Sequence, residues 1–297
     1  MRIALATAIE AFALDDDLSP LLDALRARGH AAHALAWDDM TVSWSRFDLV
    51  LLRSTWNYTA MPIAFLAWCE RVAAVTRLLN PHALVRWNTD KRYLADLAKA
   101  GVPVIESHYL APGDAADSFP ALAEFVVKPC IGAGSRDTQR YTAPNRAAAI
   151  AHAKRLLDAG RHVLVQPYLE AVDTAGETAL LFFAGRYSHA IRKGPLLRRD
   201  GEATRALFAP EAITAREPSA EEIAVAHRAL AAIPGGAPLY ARVDLLPSPT
   251  GPQLLELELA EPSLFFAEAP GSADRFAAAI DEAVANAAQQ SGAAAPG

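Results

Sequence analysis

The sequence predicts an α/β unit followed by α+β units, and three observations carry that expectation. Residues 1 to about 85 alternate short apolar runs with helix-forming stretches, the pattern of a parallel sheet covered by helices. From about residue 125 the apolar runs come in pairs joined by Gly, Pro, Ser and Thr, which marks antiparallel hairpins. The chain has 297 residues, 52% of them hydrophobic and 21% charged, enough for two or three compact units.

The first apolar run, Met1 to Ala8, reads as a buried strand. It meets Glu10 and Asp15 too soon for a signal peptide or a membrane span. A helix follows from about Leu18 to Arg28, closed by Gly29, and then a strand over Phe47–Leu52. Ligands of open α/β sheets collect beyond the carboxyl ends of strands. The segment Arg53-Ser-Thr-Trp-Asn-Tyr58 follows such an end and combines a cation, hydroxyls and aromatics, so Arg53, Thr55, Trp56 and Tyr58 are candidate substrate contacts. Trp56 and Tyr58 equally suit a loop packed on the helix expected from Ile63 to Arg71.

Between Trp87 and Pro103 the spacing predicts one helix, capped at Asn88 or Thr89 and stopped by Gly101. Lys91 and Arg92 then fall in its first turn, where cations oppose the helix dipole and an anion would relieve the conflict. A solvated lysine beside Asp90 satisfies the same pattern. Residues 125 to 141 read as a strand bearing Lys128, a loop with Gly132, Gly134 and Ser135, and a second strand. The small residues let backbone N–H groups approach phosphate oxygens. The loop matches neither the Walker pattern nor GxGxxG. A helix from Asn145 to Leu157 and a strand from His162 to Leu169 complete this part.

Residues 178–183 and 187–193 form the next hairpin. A polar stretch from about 194 to 217, with Arg198, Arg199 and Arg205, lacks periodicity, as active-site covers and disordered loops do. Ser219 and Glu222 make a capping box for a helix to about Ala232. The last hairpin pairs Tyr240–Leu246 with "LLELELAEP". A turn near Thr250 sets Asp244 opposite Glu256 and Arg242 opposite Glu258. Like charges face to face are destabilising, so a cation between Asp244 and Glu256 would explain the pair, and hard oxygen ligands suit magnesium. A polar strand with a salt bridge to Arg242 is the alternative. The tail 289–297 has the low-complexity composition of a disordered end.

A net charge of −6 argues against nucleic acid or an anionic membrane as the main partner. Two cysteines, Cys69 and Cys130, make neither a disulfide framework nor a cysteine zinc site, and suit a reducing cytoplasm.

The ordered set of Lys91, "VVKP" with its glycine loop, "VQPYL", Glu177, "RK", "RVD" and "LELELAEPS" resembles the ATP-grasp superfamily, within it the glutathione-synthetase-like ligases, over roughly residues 85 to 285. The resemblance implies an ATP-grasp fold with an N-terminal parallel-sheet domain (1–85), a central lid subdomain (86–168) and a C-terminal α+β domain (169–288). It implies ATP and magnesium (Mg2+) as cofactors. By position, Lys91, Lys128, Gly132, Gly134 and Ser135 would hold phosphates, Gln166, Tyr168 and Leu169 the adenine, and Glu177 the ribose. Arg192 and Arg242 would be catalytic, with Asp244, Glu256 and Glu258 on the metal. Relatives often carry Asn where this chain has Glu258, which leaves Glu258 between metal ligation and a pair with Arg242. Lys193, next to Arg192, falls on the opposite strand face.

Such ligases activate a carboxylate as an acylphosphate that an amine displaces, and no cysteine or serine nucleophile is required. With "RSTWNY", "RWNTDKRYL" and "SHAIRK", the pattern is most similar to the small ligases typified by D-cycloserine synthetase, which close a ring within one O-ureido amino acid. Glu261 and Ser263 then join Arg53, Thr55, Trp56, Tyr58 and Arg242 as candidate substrate contacts. The implied partner is a small amino-acid-like molecule, with no nucleic acid and no membrane; a homo-oligomer is left open. An intermolecular amino acid ligase and a non-catalytic ATP-binding regulator are the competing readings.

Overall fold

The computed structural model describes residues 1–197 and 212–293. Four parallel strands, β1 (Arg2–Thr7), β2 (Ala31–Ala36), β3 (Leu49–Leu52) and β4 (Arg77–Leu79), form the N-terminal sheet in the order β2-β1-β3-β4. Successive side chains of β1 and β3 alternate between two buried faces. Ile3, Leu5, Leu49 and Leu51 pack with Leu21 and Leu25 of α1 (Leu18–Ala27) and with Phe276 of α8 (Ser272–Ala293). Ala4, Ala6, Val50 and Leu52 meet Phe65 and Trp68 of α2 (Pro62–Val75). Helix α8 includes residues 289–293, correcting the expected disordered tail there; 294–297 lie outside the described residues.

The single helix expected from Asn88 or Thr89 is two. Asn88 ends α3 (His82–Asn88), and α4 (Tyr93–Lys99) starts after Arg92, so Lys91 lies in the junction. Asn88 does not cap a helix because its amide is used elsewhere: it donates to Leu257 O at 2.7 Å and accepts from Leu259 N at 2.8 Å. Leu84, Leu94 and Leu97 of this pair share a core with Phe182, Val243 and Leu257, so these helices pack with the C-terminal sheet.

A small antiparallel sheet holds β5 (His108–Leu110), β6 (Glu124–Pro129), β7 (Gln139–Thr142) and β8 (Val163–Pro167) in the order β5-β8-β6-β7. Phe125, Val127, Val163 and Val165 face Ala149, Ala153 and Leu156 of α5 (Arg146–Asp158).

The third sheet, antiparallel throughout, runs β11-β10-β9-β12-β13. Its strands, which follow the short helix α6 (Val172–Ala175), are β9 (Glu177–Phe183), β10 (Arg186–Lys193), β11 (Ile213–Arg216), β12 (Tyr240–Leu246) and β13 (Gln253–Glu258). Strand β11 lies within the stretch expected to be irregular, while Arg198, Arg199 and Arg205 fall outside the described residues. The capping box is present: Ser219 Oγ accepts the Glu222 N–H, and Glu222 accepts the Ser219 N–H, at the start of α7 (Ala220–Ala231). Among the described residues no helix is long and apolar enough to cross a membrane.

Two β-bulges set which side chains face the site. On β10 one extra residue, Ser188, shifts the register with β9 between Tyr187 and His189. Beyond it Lys193 pairs with Glu177, and Arg192 with Thr178. On β13 the shift falls between Glu256 and Leu254, after the Arg242–Glu258 and Asp244–Glu256 pairs are already in place.

Candidate active site

A cavity of about 430 Å3 opens between the small antiparallel sheet and the third sheet, and the N-terminal sheet closes one end. Its apolar part is built from Ile105, Val126, Leu169, Leu246 and Leu255, with Tyr168 and Gln166 beside them. Tyr168 is held from two sides: its hydroxyl donates to Asp173 Oδ1 at 2.5 Å, and the Arg140 guanidinium lies 3.4 Å over its ring. The Gln166 amide donates to Ser107 Oγ at 3.0 Å. This end fits a flat heteroaromatic ring.

Gly132, Ala133, Gly134, Ser135 and Thr138 line the next stretch. Gly134 and Ser135 both have positive φ, 60° and 59°, which turns the loop sharply. A Cβ at Gly132 would stand 3.1 Å from Pro129 Cγ, so a glycine fits the tight turn there. Lys128 points to the same wall. It is buried, and among the described residues it has no ion pair or hydrogen bond. Burial lowers its pKa to about 8 against the pull of Glu256.

The polar end is a network of alternating charge on one face of the third sheet. Lys91 Nζ contacts Glu256 Oε1 at 2.8 Å and donates to Gly132 O at 2.6 Å, tying the glycine loop to the hairpin. Lys193 Nζ bridges Glu177 at 2.6 Å and Asp244 at 2.8 Å. Arg242 donates to Asp244 at 2.9 and 2.8 Å and also to Glu258. Burial works to raise the Asp244 pKa, but Arg242 and Lys193 hold it well below the usual carboxylate range. Burial pushes Glu258 up to about 8, since it shares one guanidinium with Asp244. Glu177, desolvated and only partly offset by Lys193, is pushed up to about 7.

The expected facing of Asp244 with Glu256 and of Arg242 with Glu258 is present. Among the described residues no three carboxylates or other donors converge as a ready metal cage. The donor chemistry nonetheless fits magnesium: buried carboxylate oxygens now neutralised by Lys91, Lys193 and Arg242 border a space large enough for phosphate oxygens, and magnesium takes few protein ligands when phosphates supply the rest.

Arg192 is a correction. It turns away from the cavity and donates to Ala175 O at 2.7 Å and Thr174 O at 3.0 Å, while Lys193 takes the facing position. The bulge at Ser188 exchanges the two, and an unbulged hairpin would have presented Arg192. Turnover is therefore expected to fall at least about 100-fold in Lys193→Met, whereas Arg192→Met, compared by steady-state kinetics, changes mainly stability.

Of the Arg53–Tyr58 candidates only Trp56 lines the cavity. Arg53 is buried behind it, donating to Pro262 O at 2.8 Å. Thr55 is fully buried, and the Tyr58 hydroxyl hydrogen-bonds the Glu261 carboxylate. Trp56 Nε1 donates to Glu261 O at 3.0 Å. The segment does follow a strand end, but residues 261–266 lie between it and the cavity. These side chains hold that loop, and the loop presents Glu261 and Ser263. Burial pushes Glu261 up to about 7, against its bond to Tyr58. The cavity also uses Leu14, Asp15 and Phe265, which no local pattern singled out.

Residues 3–80 match the family model described as the N-terminal domain of the D-cycloserine synthetase DcsG. The cycloserine biosynthesis protein DcsG of Streptomyces lavendulae is 46% identical over 294 residues, covering 94% of this chain and 98% of that protein. The chain belongs to the D-cycloserine synthetase family. The crystal structure of D-cycloserine synthetase DcsG superposes with a TM-score of 0.89 at 45% identity, covering 95% of this chain and 99% of that one. The ATP-grasp ligase PsnB, solved with a variant precursor, Mg and ADP, gives 0.61 at 21% identity over 94% and 97%, a likeness of fold. This D-cycloserine synthetase relative thus has the ATP-grasp fold and is a ligase, and the reading as a non-catalytic regulator is set aside.

Proposed function

We propose that the chain converts O-ureido-D-serine to D-cycloserine with ATP. The observation that carries this reading is the 46% identity over nearly the whole chain, including the N-terminal domain that closes the cavity end away from the apolar pocket. The fold alone would serve other amino acids equally well.

In this reading the apolar end takes adenine against Tyr168 and Leu169, with Gln166 beside it and Glu177 at the ribose. Lys91, Lys128, Lys193 and the Gly132–Ser135 loop hold the phosphates. Asp244, Glu256 and Glu258 would hold magnesium, which neutralises phosphate charge during transfer. A substrate carboxylate oxygen attacks the γ-phosphorus of ATP and ADP leaves. Arg242, fixed by Asp244 and Glu258, faces the resulting acylphosphate and stabilises charge on its acyl oxygen. The N–O nitrogen of the same substrate then attacks the acyl carbon; phosphate departs, the nitrogen loses its proton, and a five-membered ring closes. Water removes the carbamoyl group as carbon dioxide and ammonia. A cytoplasmic setting suits the two buried free cysteines.

Purified protein with Mg-ATP and O-ureido-D-serine should release ADP, phosphate and a product of the mass of D-cycloserine, read by mass spectrometry. ADP release only when an amino acid and a second amine are both supplied would replace this substrate with an intermolecular ligation.

A further inference from the structure

We propose that Asp15 is the binding site for the α-ammonium group of the substrate. This rests on the reading above that the substrate is an amino acid. Asp15 lies between β1 and α1, beyond the carboxyl end of β1, and forms part of the cavity wall. It is only 8% exposed. Its Oδ1 accepts the Asp17 N–H at 3.0 Å and the Ser54 hydroxyl lies close to the carboxyl group, but Oδ2 is buried with no hydrogen bond of ordinary length among the described residues. A buried carboxylate oxygen left so is costly unless a ligand completes it.

The surrounding charge specifies the ligand's sign. Arg53 is the cation behind this wall, and Asp17 stands 4.0 Å from its guanidinium. Asp17 is itself saturated by the N–H groups of Leu264, Phe265 and Phe266 at 2.6, 3.2 and 2.9 Å. One guanidinium against two carboxylates leaves a negative charge at the cavity. Burial raises the Asp15 pKa and Arg53 opposes the rise; a bound ammonium acts in the same sense as Arg53.

The other carboxylates of the cavity are committed or wet. Asp244, Glu256, Glu258 and Glu177 face Lys or Arg, Glu261 takes the Tyr58 hydroxyl, and Asp16 and Glu268 keep contact with solvent. An α-amino acid brings a carboxylate, which must reach the nucleotide phosphates, and one ammonium, which needs an anion on another wall. Asp15 supplies it from the N-terminal domain, so that domain selects α-amino acids over plain carboxylic acids.

The test compares O-ureido-D-serine with its analogue lacking the amino group, in wild type and Asp15→Asn. Asp15→Asn should raise KM for the amino substrate by about 10- to 100-fold, the worth of a charge-assisted hydrogen bond, with KM for ATP unchanged. Wild type should disfavour the desamino analogue by a similar factor, and the variant should treat the two alike. An equal loss on both substrates, or none, overturns the proposal. If the variant does not fold, wild type alone decides: a desamino analogue as good as the parent overturns it. Wild-type turnover of O-ureido-D-serine is measured first. Its absence overturns the substrate reading rather than the Asp15 site, which is then tested with whichever amino acid supports ADP release and that amino acid's desamino analogue.

Discussion

Asp244→Asn is expected to lower turnover by about 10²- to 10³-fold and to destabilise the protein at the same time. The carboxylate is buried and accepts hydrogen bonds from Arg242 and Lys193. Neutralising it leaves Arg242 with Glu258 alone and Lys193 with Glu177 alone, two buried cations short of one shared carboxylate, and breaking a buried pair from one side costs about 3–5 kcal/mol. Two readouts separate the effects. Denaturant unfolding should show a lower midpoint, and steady-state kinetics at a temperature where circular dichroism reports full folding should still show the loss. Added magnesium should not restore turnover, because the variant has lost a ligand charge as well as the order of Arg242. Wild-type turnover in folded Asp244→Asn would remove the residue from the site.

Lys128→Met should act in opposite directions on ligand and fold. Lys128 is a buried cation with no ion pair among the described residues, so its charge serves an anion that arrives later. Losing its charged hydrogen bonds to phosphate should weaken ATP about 10- to 100-fold, measured by calorimetry. The fold should gain. The folded pKa of about 8 lies below the ordinary lysine value of 10.5. The unfolded chain therefore binds a proton that the folded chain gives up between these values, and folded Lys128 is destabilising below pH 8. That penalty fades as pH rises toward 10.5. Lys128→Met should thus be more stable than wild type at pH 7, with the difference shrinking above pH 8. In wild type the ATP affinity should fall as pH rises through 8, since the neutral amine no longer attracts phosphate. Unchanged ATP affinity in the variant would take Lys128 out of the phosphate wall.

How far the sequence reveals the site depends on how local the determining contacts are. Asp244 and Glu256 were legible as a facing pair because one turn sets the register between strands joined by it. Arg192 and Lys193 were not, because a single extra residue, Ser188, reverses strand parity and leaves no mark in composition. Arg53 read as a ligand contact because it follows a strand end. Its partner is the carbonyl of Pro262, 209 positions away, and no periodicity records a contact of that range. Asn88 has the residue type of a helix cap, but its amide pairs with the β13 strand and the backbone just beyond it. Asp15 lies in an acidic run that in the sequence only bounds the first apolar stretch; its burial comes from the wall around it.

The central claim is that the substrate's own carboxylate is activated by phosphate, and labelled oxygen tests it directly. O-ureido-D-serine carrying heavy oxygen in both carboxylate positions is turned over with unlabelled ATP, and the released phosphate is weighed. Phosphate bearing one heavy oxygen, beside a ring product that keeps the other, is the expected result. Unlabelled phosphate with both heavy oxygens retained in the organic product would contradict the account.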